Sequence, residues 1–272
     1  MDLPAGGQDY DDEEDASDAG CGITADTSLH GNKQSERREW PWLAMLYRTK
    51  GNRLPFCGGA VITDQHILTA AHCVSGLQEN SLRVRLGEYD IRRPNETRAR
   101  DFGVKEIILH KEFDPASYYN DIAILTLERQ TNFDTYVWPI CLPPVNETYV
   151  NKTVIVGGWG QQGYGEPISE ILLEVAVPVW EQERCVEAFA QRITENNLCA
   201  AAYEGGKDAC LGDSGGPLLY KLENGRWVTI GIVSWGIGCG NKDQPGIYTR
   251  VDKYIPWIIT NTITKQLIQL PD

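Results

Sequence analysis

The sequence predicts an all-β protein made of antiparallel strands, arranged either as barrels or as a sandwich. The stretch "SLRVRLGEYDI" alternates apolar and polar residues, which is the period of a half-buried strand. Short runs rich in β-branched and aromatic residues recur along the chain, among them "DIAILTL", "TVIVGGWG" and "WVTIGIVSWG". Gly, Pro, Asn and Asp separate these runs, as expected for many short strands joined by turns.

Only two stretches have a helical pattern. The first is "WEQERCVEAFAQRI", and the second is the terminal "VDKYIPWIITNTI", in which Tyr254, Trp257, Ile258 and Ile263 share one face of a helix. Pro256 fits that second helix only near its start, because proline has no backbone N–H to donate to the preceding turn. The segment "WPICLPPVNE" between the strand-rich halves is the predicted crossing from one half to the other.

The composition is that of a soluble globular protein with an acidic balance. The 272 residues are 42% hydrophobic and 23% charged, with a net charge of -13, which argues against binding nucleic acid through a basic surface. No apolar run is long enough to span a bilayer. The first 20 residues contain the acidic run "GGQDYDDEEDASDAG" and are predicted to be a disordered tail or linker.

Cysteines and sequons indicate an oxidising, secretory compartment. The chain has eight cysteines and no CxxC motif, which disfavours zinc-ribbon and thioredoxin-type sites. Three N-glycosylation sequons begin at Asn95, Asn146 and Asn151. The count alone leaves the disulfide pairing open. The first residues lack the basic start and apolar core of a signal peptide, so we expect that Met1 is not the natural start of a secreted precursor.

Three separate motifs carry candidate catalytic residues. They are "LTAAHC" with His72, "NDIAIL" with Asp121 and "DACLGDSGGP" with Ser214. A lone His or Asp is more often structural than catalytic. A serine set among glycines is more specific, because its hydroxyl is exposed and nearby backbone N–H groups can converge on one point.

Together, in this order, the three motifs resemble those of the trypsin/chymotrypsin family of serine proteases. The resemblance runs from about residue 39 to about residue 262 and includes "EWPWLAML", "CGGAVI", "SWG" and "PGIYTRV". It implies two six-stranded antiparallel Greek-key β-barrels with a C-terminal helix. The wording of "RLGEYD", "EVAVPVW" and "GIVSWGIGCG" is most similar to the catalytic domain of arthropod clip-domain proteases of the clotting and melanisation type, here without the clip domain.

The resemblance implies a role for each motif residue. His72 would be the general base that takes the proton of Ser214, and Asp121 would orient the imidazole. The backbone N–H groups of Gly212 and Ser214 would form the oxyanion hole.

Specificity is implied in the same way. Asp208, six residues before the serine, would form the floor of a pocket for Arg or Lys. Gly236 and Gly246 would leave the pocket walls open, and Ser234 and Gly236 would offer backbone partners to an extended substrate.

The same resemblance implies four disulfide bonds, which use every cysteine. They are Cys21–Cys141, Cys57–Cys73, Cys185–Cys199 and Cys210–Cys239.

The activation segment departs from the family pattern. Where a basic residue and "IVGG" are usual, this chain has Ser28, Leu29, His30, Gly31 and Asn32. The residue expected to fold inward after cleavage is Leu29, and its partner would be Asp213. Two hypotheses remain: a protease activated by an unusual cut, or a silent, zymogen-locked binding or regulatory protein.

The domain organisation follows from these observations. We expect an acidic tail over residues 1–20, a light-chain or activation segment over 21–38, and a protease domain over 39–265 whose two barrels cross near 131–145. The expected setting is a secreted protease cascade, and the expected partners are protein substrates with Arg or Lys at the cleaved position, an upstream activating protease and serine protease inhibitors, with no nucleic acid and no membrane.

No cofactor is expected. Glu88 and Asp90 offer the hard oxygen ligands that calcium prefers, but arginines interrupt that loop and disfavour a calcium site.

Overall fold

The structure is a computed structural model that describes residues 20–24, 33–35, 37–51, 54–93, 96–161, 166–204, 213–236 and 242–268. These stretches contain strands that are numbered here in chain order: β1 Lys33–Gln34, β2 Leu43–Arg48, β3 Pro55–Val61, β4 His66–Thr69, β5 Leu82–Leu86, β6 Arg100–Leu109, β7 Ala123–Leu127, β8 Thr153–Gly158, β9 Leu173–Pro178, β10 Asn197–Ala200, β11 Pro217–Lys221, β12 Trp227–Trp235 and β13 Gly246–Arg250. They also contain three α-helices: α1 Ala71–Val74, α2 Gln182–Glu187 and α3 Ile255–Ile268. None of the described helices is long and apolar enough to cross a membrane.

The first half of the chain forms a closed antiparallel barrel. Its strand order is β2-β3-β4-β7-β6-β5, and β5 pairs with β2 to close the ring. Strand β5 shows why these residues form it: Leu82, Val84 and Leu86 are fully buried, whereas Arg83 and Arg85 between them are partly exposed. The predicted alternation is therefore confirmed, and it directs one face of the strand into the barrel.

The second half forms an antiparallel sheet in the order β1-β9-β8-β11-β12-β13-β10. Strand β1 is a two-residue addition at one end, and the remaining six strands match the predicted second barrel. A bridge between Val179 and Ala200 joins the ends of β9 and β10, and the Trp180 N–H donates to the Cys199 carbonyl over 2.8 Å. The predicted fold of two six-stranded antiparallel barrels is thus confirmed.

Tryptophans fill the space between the two halves. Trp40 and Trp42 precede β2, and Trp227 begins β12; all three are buried. The Trp40 and Trp227 rings meet edge to face with their centroids 4.8 Å apart, a favourable aromatic geometry. The chain crosses between the halves after β7 ends at Leu127 and before β8 begins at Thr153, a stretch that includes the predicted crossing.

The helices only partly follow the sequence pattern. Helix α2 ends at Glu187, although the periodic pattern continues to Ile193. Phe189 and Ile193 are instead buried in a small cluster with Trp180 and Cys185, so they pack there without helical structure. The C-terminal helix is confirmed, and Pro256 is its second residue, where the missing N–H costs no intrahelical hydrogen bond.

The short segment 20–24 docks on the seam between the halves. The Gly22 N–H donates to the Pro139 carbonyl, and the Trp227 N–H donates to the Gly22 carbonyl, each over 2.8 Å. Gly22 has φ +70°, and a β-carbon there would collide with the Trp227 backbone, so only glycine fits. The Cys21–Cys141 disulfide fixes this segment covalently. The predicted tail over residues 1–20 lies outside the described residues except for Gly20.

Candidate active site

His72 is presented by a short helix that follows a buried strand. Strand β4 ends at Thr69, and α1 places His72 in its single turn. The next residue, Cys73, is bonded to Cys57 of β3, so the helix is tied to the barrel wall on both sides of the imidazole. A four-residue helix is not stable alone, and the disulfide and the packing of Ala71 and Val74 hold it in place.

Asp121 accepts two hydrogen bonds from His72. Its Oδ1 accepts the His72 backbone N–H over 2.8 Å, and its Oδ2 lies 2.7 Å from His72 Nδ1. A carboxylate only accepts, so the ring proton is on Nδ1 and the lone pair is on Nε2. The Asp121 side chain is fully buried and that of His72 is 20% exposed, so the imidazole is the part of the pair that solvent and ligands can approach; its Nε2 lies 3.6 Å from Cys73 Sγ.

The second barrel completes the environment of Asp121. Ser234 Oγ donates to Asp121 Oδ2 over 2.5 Å, and Thr249 Oγ1 donates to the Asp121 backbone carbonyl over 2.8 Å. Both side chains are buried. A buried carboxylate is costly unless it is hydrogen-bonded, so the Ser234 hydroxyl helps to stabilise the carboxylate, whereas Thr249 fixes the backbone of Asp121.

Ser214 stands between the two barrels. Its carbonyl accepts the Gly58 N–H of β3 over 2.8 Å, and the next residue, Gly215, donates its N–H to Val233 of β12 over 2.8 Å. Gly215 has φ +80°, and a β-carbon there would collide with Thr69 and Gly58. The glycine after the serine is therefore required by the fold. Ser214 and His72 line the same cleft, which has a volume of about 430 Å³.

The Asp213 side chain lies in a closely packed site beside β8. Its Oδ1 accepts the Gly160 N–H over 2.9 Å. A β-carbon at Gly158 or Gly160 would overlap the Asp213 carboxylate, so both glycines allow its close approach. The structure thus places the predicted activation residue Asp213 in a packed site next to Ser214. Its predicted partner Leu29 lies outside the described residues.

The predicted substrate pocket is only partly described. Gly236 follows β12, and a β-carbon on it would lie 3.6 Å from the Gly246 Cα, so the two predicted wall residues are neighbours in space. Asp208 and Gly212 lie outside the described residues, as do Cys210 and Cys239.

Three of the implied disulfide pairs are present in the structure. They are Cys21–Cys141, Cys57–Cys73 and Cys185–Cys199. Asn146 and Asn151 are exposed on turns with φ of 62° and 61°, and Asn95 lies outside the described residues.

Sequence reasoning missed several residues around the catalytic pair. Thr249 supports Asp121, and the Ser234 hydroxyl does so too, although Ser234 was singled out only for its backbone. Tyr118 has φ 58° and its ring lies 5.3 Å from the His72 ring. A usable signal existed only for Ser234 and Thr249, which are polar residues in otherwise buried strands.

Tyr254 supports the turn that precedes Asp121. Its hydroxyl donates to Asn120 Oδ1 over 2.9 Å, and Asn120 holds a left-handed φ of 53°. Burial raises the pKa of Tyr254 to about 12, so the hydroxyl keeps its proton and remains a donor at neutral pH.

The described groups that could bind a metal already form bonds with other protein groups. Cys57, Cys73 and His72 lie close together, but the two sulfurs form a disulfide and have no thiolate to offer a metal. Glu88 accepts hydrogen bonds from Arg85 and from the Tyr89 N–H.

Asp90, the second acid considered for calcium, also contacts protein groups. Asp90 is paired with Arg92 and Arg93, each over 3.5 Å. Glu88 and Asp90 thus both contact protein groups.

Comparison with known proteins agrees with this geometry. The trypsin family profile matches residues 29–258. Coagulation factor XI of Bos taurus is 41% identical over 245 residues, which cover 89% of this chain and 39% of factor XI. The proclotting enzyme of Tachypleus tridentatus is 37% identical over 258 residues, covering 89% of this chain and 69% of that protein. Phenoloxidase-activating factor 1 of Holotrichia diomphalia is 38% identical over 266 residues, covering 90% and 72%.

The predicted likeness to arthropod proteases of the clotting and melanisation type is confirmed by two of these relatives. The chain spans well under half the length of factor XI, so only its own domain is compared there. The match covers both barrels and all three catalytic motifs, and the chain belongs to the trypsin family of serine endopeptidases.

Proposed function

We propose that the protein is a secreted endopeptidase that cleaves peptide bonds after Arg or Lys through an acyl-enzyme. The observation that carries this proposal is the buried Asp121–His72 pair, whose imidazole shares a cleft with Ser214. The Nδ1–H of His72 is held by Asp121, so Nε2, which lies 3.6 Å from Cys73 Sγ, carries the lone pair that can act as a base.

The proposed mechanism uses each group in turn. His72 Nε2 takes the proton of Ser214 Oγ as the oxygen attacks the scissile carbonyl, because a neutral serine hydroxyl is a poor nucleophile. Asp121 stabilises the imidazolium that forms. The backbone N–H groups of Gly212 and Ser214 receive the developing oxyanion. His72 then gives the proton to the leaving amine, and water repeats the sequence on the acyl-enzyme.

The proposed specificity depends on Asp208. A carboxylate at the floor of a pocket beside Gly236 and Gly246 favours a long cationic side chain, because one charged pair replaces its lost hydration. The adjacency of Gly236 and Gly246 supports an open pocket entrance. Ser234 and Gly236 would pair with the extended substrate through their backbones.

Activation is proposed to use Leu29 as the new amino terminus. Strand β1 pairs with Leu173 of β9, and Leu173 pairs with Gly158 of β8, which lies against Asp213. Two strand spacings are about 10 Å, and four extended residues before Lys33 span about 14 Å. These lengths support the proposal that Leu29, once it is the amino terminus, pairs with Asp213.

A cut after Arg37 or Arg38 would not create an amino terminus that can pair with Asp213. Glu39 and Trp40 are buried at 2% and 5% exposure, so a terminus created there is held in place. Such a cut would also separate β1 from β2 in the chain and leave β1 joined to the protease domain only through the Cys21–Cys141 disulfide and its pairing with β9.

The relatives support a place in a proteolytic cascade. Their names refer to coagulation, clotting and the activation of phenoloxidase. We propose that the protein is made as a zymogen, that its partners are protein substrates, an activating protease and protease inhibitors, and that Asn95, Asn146 and Asn151 accept glycans. The disulfide bonds agree with an extracellular location.

The test is hydrolysis of aminocoumarin peptides that end in Arg, Lys or Phe, with N-terminal sequencing of the protein before and after treatment with candidate activating proteases. We expect cleavage of the Arg and Lys peptides by the form that begins at Leu29. Ser214→Ala is expected to abolish it, and Asp208→Ser to remove the preference for cationic residues. Full activity in Ser214→Ala would contradict the mechanism.

A separate experiment tests the hypothesis that the protein is silent and locked as a zymogen. A serine-directed covalent inhibitor labels Ser214 only when the nucleophile is activated. Rapid labelling that Ser214→Ala abolishes excludes a locked protein. Absence of labelling in the form that begins at Leu29 would favour the silent protein.

A further inference from the structure

The cleft beside Ser214 extends toward β3, away from the proposed pocket. The Ser214 carbonyl bonds to Gly58 of β3, and the Gly215 N–H bonds to Val233 of β12. Ser234 and Gly236, the proposed partners of the residues before the cleaved bond, continue β12. A substrate that crosses Ser214 from β12 next meets β3, so the residues after the cleaved bond enter this cleft.

The walls of this cleft have a definite chemistry. They are mostly apolar and include Phe56, Ile168 and the Cys57–Cys73 disulfide. Arg48 is the one arginine or lysine among the described lining residues, and none of these is Asp or Glu. The cleft therefore combines an apolar surface near Ser214 with one permanent positive charge.

Arg48 is positioned to present that charge. It is the last residue of β2 and is exposed to solvent. Its guanidinium carbon lies 5.2 Å from the centre of the Phe56 ring, a cation–π contact that orients the side chain along the cleft wall. No described carboxylate lies within ion-pair distance of Arg48.

We propose that Arg48 is a specificity-determining residue that selects substrates with an acidic side chain among the first three residues after the cleaved bond. This proposal rests on the proposed function. Three extended residues span about 10 Å, so the first three residues after the cleaved bond are the ones that a cleft of this size can hold. The net charge of the chain is -13, so the long-range field repels an acidic peptide and a preference for Asp must come from a local contact.

The experiment uses internally quenched peptides with one Arg and three following positions. Asp and Asn are compared at each position in turn, because they have the same size and differ in charge. We expect kcat/KM to be about threefold higher for Asp at one of the positions, the effect of an exposed ion pair. The preference should vanish in Arg48→Gln and reverse toward Lys over Asn in Arg48→Glu.

Two controls isolate the contact. Lys50→Gln removes a nearby exposed charge outside the cleft lining and should keep the preference for Asp. An Arg-aminocoumarin substrate has no residues after the cleaved bond, so Arg48→Gln should hydrolyse it at the wild-type rate. High salt should weaken the preference for Asp.

The outcomes are distinguishable. Hydrolysis of the aminocoumarin substrate with equal rates for Asp and Asn peptides overturns the role of Arg48 alone. An equal preference for Asp in Arg48→Gln and wild type does the same. Failure to hydrolyse any Arg substrate, including the aminocoumarin peptide, overturns the proposed function and this proposal together.

Discussion

The two barrels contribute to the candidate site in different ways. The first barrel supplies His72 and Asp121 on short local elements, a helix braced by a disulfide that spans 16 residues and a turn before β7. The second barrel supplies Ser214 on the turn before β11, and Ser234 and Thr249 as donors to Asp121. Both residues of the acid–base pair therefore come from the first barrel, but the hydrogen bonds that hold the pair in place come from both barrels.

This difference shows that neither barrel forms the site alone. Without Ser234 and Thr249, Asp121 would keep its bonds to His72 but lose one donor to its carboxylate and one to its backbone carbonyl, both from the other half. A buried carboxylate with missing partners shifts its proton affinity or its position. The catalytic geometry is thus coupled to the packing of the two barrels against each other.

The largest expected effect comes from the pair in the first barrel. Asp121→Asn presents an amide to His72 Nδ1 and favours the wrong tautomer, so kcat for an Arg peptide should fall by about 10⁴-fold, as in other catalytic triads of this kind. Asp114→Asn, an exposed acid in a nearby turn, is the matched control and should keep its activity. Near-normal turnover in Asp121→Asn would remove the pair from the mechanism.

The next effect tests the second barrel. Gly160→Ala places a methyl group on the Asp213 carboxylate and displaces the residue before Ser214. We expect kcat/KM to fall about a hundredfold, the cost of a misplaced oxyanion donor. Gly157→Ala is the control, because its β-carbon meets mainly the end of the Leu43 side chain at 3.2 Å. Equal activities in the two variants would show that the position of Asp213 is unimportant.

A smaller effect measures the coupling between barrels. Ser234→Ala removes the hydroxyl that donates to Asp121 Oδ2, and kcat should fall about tenfold, the range of a hydrogen bond to a charged group. Thr249→Val removes a donor to a backbone carbonyl and should mainly lower the melting temperature. If Ser234→Ala changes neither kcat nor its pH profile, the second barrel does not tune the pair.

The smallest effect concerns stability at a second contact between the halves. His110 at the end of the first barrel packs against Tyr254 and Trp257 near the start of α3, and the Glu112 N–H donates to its Nδ1. Burial lowers the pKa of His110 from 6.5. As the pH falls below 6.5, His110 is protonated more readily in the unfolded chain than in the folded protein. The free energy of unfolding therefore falls as pH falls.

His110→Gln tests this contact. Denaturant unfolding at pH 7.5 and at pH 5.5 should show a smaller loss of stability on acidification in the variant than in the wild type. An identical loss in both proteins would mean that His110 does not contribute to the pH dependence.

Much of the fold could be predicted from local sequence. The alternation in β5 and the position of Pro256 required only side-chain period and backbone chemistry. The length of α2 could not, because Phe189 and Ile193 find partners in Trp180 and Cys185 through the folded core. Hydrophobic periodicity predicts which side chains could share a buried face, but it does not predict which local structure buries them.

The sequence by itself determined which chemical groups are available. The three motifs supply a nucleophile in Ser214, a base in His72 and a carboxylate in Asp121 that can orient the base. Only the tertiary structure decided that Ser234 and Thr249 hold Asp121, since these bonds join residues 113 and 128 positions apart and a polar residue in a buried strand does not reveal its partner. It also decided that Arg48 borders the cleft, because the β2–β3 hairpin comes beside His72 and Ser214 only in the folded protein.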